Sequence, residues 1–147
     1  MFPTSIKGTI ELSTYGSSDI PRILTKIRAN LESIKARDIY LSGNKISFRG
    51  GVFRLVSNWN VLSPVGSGEI EIIPGSPPVL KYSFSTVQIL VIVTLMVLFT
   101  FGSMIQTIPI KLETFLFPIL AFLWLFGINY LVAAFRLPRF VRRSVDA

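Results

Sequence analysis

The sequence predicts an α+β domain followed by a two-helix transmembrane hairpin. Three observations lead there. Residues 1–84 mix charged, polar and apolar residues, whereas residues 86–135 hold only one charge of each sign, Lys111 and Glu113. Within that second part, residues 86–106 and 115–135 carry no Asp, Glu, Lys or Arg, and each reaches the ~20 residues a helix needs to cross the bilayer core. Within the first part, one segment repeats its apolar residues at helical spacing while several others alternate with period two. The expected division is a domain over 1–84, a hairpin over 85–135 and a basic tail over 136–147.

The first strand is expected over residues 6–12, where TIEL alternates. A helix follows. Ser18 or Asp19 suits its N-cap and Pro21 its first turn. At 100° per residue, Ile20, Ile23, Leu24, Ile27, Leu31 and Ile34 share one face of about 100°. Burying six such side chains at ~1.5–3 kcal/mol each is a large term for so small a domain. Arg22, Lys26 and Arg37 lie opposite that face.

Residues 39–41 and 46–48 are short alternating runs joined by Gly43 and Asn44, a pair suited to a two-residue hairpin. Residues 52–56 suggest a further strand and the stretch from Ser57 to Gly68 a loop. Residues 68–73 alternate Ile with Glu, PGSPP breaks the run, and residues 80–84 place Leu80, Tyr82 and Phe84 on one face. The economical packing is one amphipathic helix on a mostly antiparallel sheet. The last strand enters the first apolar span with almost no linker, which holds the domain at the membrane face.

Between the spans, Pro109 favours an end to the first helix, Thr114 suits the N-cap of the second, and Pro118 suits its first turn. Orientation follows from the flanks: Lys81 precedes the first span and four Arg follow the second, while the connecting loop has only Lys111 beside Glu113. Basic flanks stay on the cytoplasmic side, so both termini are expected in the cytoplasm. The start of the chain has no apolar run of signal-peptide length. Tyr130 and Phe135 fall near the inner headgroup level, and Trp124 lies mid-span.

The chemistry on offer is narrow. The chain has no Cys and no His, which removes disulfides, thiolate nucleophiles and cysteine–histidine zinc sites. No ionisable side chain lies inside either span, where proton relays and voltage sensors need one. Glu69 and Glu71 share one strand face, which alternation assigns to the solvent side rather than to a catalytic pair. No phosphate-cradling glycine loop precedes a lysine and a helix. No cofactor is expected, and the chain is not expected to be an enzyme.

Net charge is +7, from 15 basic and 8 acidic residues. Residues 1–84 contribute ten basic and six acidic side chains, and the tail four Arg against Asp146. Candidate contacts for a partner or for lipid are Arg49, Arg54 and Trp59, together with Arg136, Arg139, Arg142 and Arg143. Pro138 is expected to end the second helix, leaving those arginines to meet lipid phosphates rather than nucleic acid. The expected function is a non-catalytic, membrane-anchored accessory or scaffold subunit of a larger membrane complex, with lipids and other integral subunits as partners. The alternative is a membrane-tethered module that recruits an acidic lipid, peptide or nucleotide.

Overall fold

The computed structural model describes residues 4–50, 65–105 and 112–146. Its elements are strand β1 (Ser5–Glu11), a 3-10 turn (Ser17–Asp19), helix α1 (Ile20–Ser33), strands β2 (Arg37–Ser42), β3 (Lys45–Arg49), β4 (Ser67–Ile73) and β5 (Val79–Ser85), and helices α2 (Val87–Ile105) and α3 (Leu112–Asp146). The expected fold class is present: an antiparallel five-stranded sheet with α1 on one face, then two long apolar helices. The strand expected over 52–56 lies outside the described residues.

Strand order is β1-β5-β4-β3-β2. The two-residue link at Gly43 and Asn44 forms as expected, with Gly43 at φ 57 and Ser42 opposite Lys45. Register builds the core face row by row. Ile6, Phe84, Gly68 and Phe48 stand side by side, then Gly8, Tyr82, Ile70 and Ile46, then Ile10, Leu80 and Ile72. The two glycines serve this face. A Cβ on Gly68 would lie 2.5 Å from the Phe48 ring and 2.6 Å from the Phe84 ring, and one on Gly8 would strike the Tyr82 ring. Gly68 thereby lets the two Phe rings approach to 5.9 Å between centroids, a favourable tilted arrangement.

Helix α1 buries Ile20, Ile23, Leu24, Ile27 and Leu31, while Ile34 is half-buried. Pro21 sits in its first turn. Asp19 does not cap α1 through its side chain. Its Oδ2 instead accepts the Gly16 N–H at 2.9 Å, closing the preceding turn. At the other end, Lys35 N–H donates to the Glu32 carbonyl (2.8 Å) and Ala36 N–H to that of Leu31 (2.9 Å). This double closure usually places Gly at the left-handed position. Here Lys35 occupies it, at φ 60.

The final helix departs most from expectation. Pro138 does not end it. Helix α3 runs through both Pro118 and Pro138, and Thr114 lies inside its first turn rather than at the cap. From the last turn of the apolar span onward, Ala133, Leu137, Val141 and Val145 are buried in the same cluster as α1 and the sheet. They recur every four residues, so they form one stripe. A proline inside a helix costs ~3 kcal/mol. Three buried aliphatic side chains at ~1.5–3 kcal/mol each outweigh it. A second helix thus covers the sheet beside α1, near the β1 edge.

Candidate functional site

The junction with the hairpin has no loop. Thr86 is fully buried; its N–H donates to the Thr4 carbonyl (2.9 Å), and its carbonyl accepts the Leu90 N–H (3.2 Å). The residue that completes the β1–β5 ladder therefore also starts α2. The Gln88 side chain, at the second position of α2, packs so closely on Gly66 that a Cβ there would lie 2.7 Å from its Oε1. With α3 passing from the hairpin into the core, the domain is held at two places.

Two helices, Val87–Ile105 and the segment within Thr114–Asp146, are long and apolar enough to cross a membrane. They pack on one another, with Phe101 meeting Phe115 at 5.4 Å, and Val93 on α2 and Phe126 on α3 are buried. Most of their other large side chains face outward, including Leu95, Phe99, Leu120 and Trp124. Thr94 and Thr100 return their hydroxyls to the Leu90 and Met96 carbonyls (2.8 and 2.9 Å), which satisfies those donors within the helix.

The sheet face away from the helices is polar and open among the described residues. Glu69 and Glu71 lie exposed there, as alternation predicts, and Glu69 pairs with Lys45 at 2.9 Å. A shallow recess of about 460 Å³ includes Asp38, Tyr40, Ser47, Arg49, Ser67 and Ser85 in its lining. No group of three or more Asp or Glu able to hold a metal ion forms among the described residues.

Comparison with family models, curated proteins and solved structures finds no match to this chain. Its surfaces must be read from their own chemistry.

The predicted contact residues divide. Arg49 is exposed at the end of β3 on the open face. Arg54 and Trp59 lie outside the described residues. Arg136, Arg139, Arg142 and Arg143 are all exposed on α3, on the side turned away from its buried stripe. The tail arginines and Arg49 therefore sit on different layers and do not form one site.

Sequence reasoning missed the partner of Arg49. A plain hairpin about Gly43 and Asn44 pairs residues whose numbers sum to 87, which would set Asp38 opposite Arg49. The register shifts between Arg37 and Tyr40, and Arg37 stands opposite Arg49 instead. Asp38 takes up the irregularity with φ 49. No sequence signal short of the bulge itself reveals the pair.

Proposed function

We propose that the chain is a non-catalytic, membrane-anchored accessory or scaffold subunit of a larger membrane complex, with both termini in the cytoplasm. The observation that carries this reading is the continuity of α3, which runs without a break from the apolar span into the core of the sheet domain. Together with the loop-free β5–α2 junction, it makes the domain a rigid extension of the hairpin. Such a part holds a partner at a fixed height and angle, whereas a flexible tether would not.

Two further features support the reading. Outward-facing apolar side chains along α2 and α3 call for lipid or neighbouring helices around them. The basic residues Lys81, Arg136, Arg139, Arg142 and Arg143 flank the spans on the side of the sheet domain, in keeping with a cytoplasmic location.

Affinity purification of the full chain from membranes in mild detergent tests the proposal. Co-elution of integral membrane proteins in fixed proportion is the expected result. A chain that elutes alone and monodisperse overturns it.

A further inference from the structure

The register of the sheet and the anchoring of its helices define a vertical axis for the domain. One end is set by Thr86, where β5 becomes α2. The row of residues beside it reads Ser5, Ser85, Ser67, Arg49, Arg37 across all five strands. Lys35, at the end of α1, lies two positions before Arg37. On the other layer, Arg136 follows the apolar span along α3. The opposite end of α3 is held where Tyr15 bonds Val145, and nine residues back along the helix, ~13 Å, brings Arg136 to the edge of the apolar span.

The far end carries both signs, because Arg142 and Arg143 stand exposed on α3 within three residues of Val145. Glu11 ends β1 opposite Val79. Asp19 lies two residues after Ser17, whose hydroxyl donates to the Gly75 carbonyl in the β4–β5 turn. Asp146 follows Val145. The rim beside the hairpin thus groups Lys35, Arg37 and Arg49 around Asp38, whereas the far end mixes Glu11, Asp19 and Asp146 with Arg22, Arg142 and Arg143.

The basic end is built against local stability. Like charges directly opposite on paired strands repel, yet a bulge replaces Asp38 by Arg37 opposite Arg49. Lys35 and Asp38, on either side of Arg37, both hold the left-handed backbone conformation, which disfavours residues with a Cβ. Asp38 shares the recess with Arg49 but forms no ion pair with it among the described residues. Such costs concentrated at one place point to function.

We infer that this rim, centred on Arg37 and Arg49, binds the headgroups of anionic phospholipids. The inference rests on the hairpin spanning a membrane, as proposed above. The headgroup layer is ~5–7 Å deep on each side of the bilayer core, and Arg49 stands in the row next to Thr86. Lys81 and Lys45 lie four residues further along their strands, ~13 Å away, beyond the ~8 Å screening length at physiological salt.

The test uses the full-length chain in zwitterionic phospholipid vesicles doped with spin-labelled phospholipid, anionic or zwitterionic. Selection of the anionic label by about fivefold or more is expected, the factor one cation near the surface supplies. The double variant Arg37→Gln/Arg49→Gln should lose that selection, while Arg22→Gln/Lys81→Gln retains it. Because the first variant removes a repulsion, its melting temperature should not fall. An alkaline wash separates the two readings. A chain stripped from the vesicles overturns the hairpin and the rim together. An inserted chain with equal affinity for both labels, or with equal losses in the two variants, overturns the rim alone. An acidic peptide that binds neutral vesicles through Arg37 and Arg49, without label selection, overturns it in favour of a protein partner.

Discussion

The Tyr15 hydroxyl donates a hydrogen bond to the Val145 carbonyl at 3.0 Å, across 130 positions of sequence. Tyr15 follows the first strand and Val145 lies in the last turn of the last helix. The bond ties the two ends of the described chain into one body, with the hairpin between them.

That closure makes the end of α3 part of the domain core. Leu137→Ala should destabilise the sheet domain by about 2–5 kcal/mol, the usual cost of emptying a buried leucine site. Tyr15→Phe should cost only about 0.5–1.5 kcal/mol. Denaturant unfolding followed by circular dichroism of the strands measures both. If Leu137→Ala leaves the midpoint unchanged, the end of α3 is not core.

Gly68 marks a position where no side chain fits. Gly68→Val should prevent the sheet from folding, since even its Cβ would meet two Phe rings at 2.5 and 2.6 Å. Gly43→Ala, where no atom lies within 4 Å but φ is positive, should cost roughly 1–2 kcal/mol from backbone strain alone. Yields of soluble-domain signal by two-dimensional NMR distinguish loss of fold from a modest shift in stability.

Lys35 is the inverse case. Replacing it with Gly removes the strain at φ 60 and should stabilise the domain by about 1 kcal/mol. Thermal melting of the variant in detergent reads the gain. A fall in melting temperature would mean that contacts of the Lys35 side chain outweigh its backbone cost.

Burial of the Tyr82 phenol raises its pKa above the ordinary value through desolvation. Because the folded value exceeds the unfolded one near 10, the associated stability is intact below about pH 10. It is lost as pH climbs from there through the folded value. Tyr82→Phe should flatten this alkaline loss. Unfolding midpoints measured from pH 8 upward would show parallel curves for the two proteins if Tyr82 has no part in it.

Local periodicity made much of the fold readable in advance. The stripe on α1, the hairpin about Gly43 and Asn44, the alternating Ile of β4 and the two apolar spans all depend on neighbours a few residues apart. The end of α3 was legible in principle through Ala133, Leu137, Val141 and Val145. Pro138 within that stripe and four arginines beside it read as a stop and a tail. The pairing of Arg37 with Arg49 depends on one bulge residue, and a one-residue slip exchanges every partner beyond it.

The division into a mixed domain and two long apolar helices was legible from residue order alone, because runs of uncharged residues and alternating strands are local properties. The sequence by itself also determined the narrow chemistry, since residue types are absent or present whatever the fold. Only the tertiary structure decided that α3 continues past Pro138 and that Arg37 faces Arg49. Each depends on a sum over distant contacts: core burial outweighs a helix breaker, and sheet register sets one arginine against another.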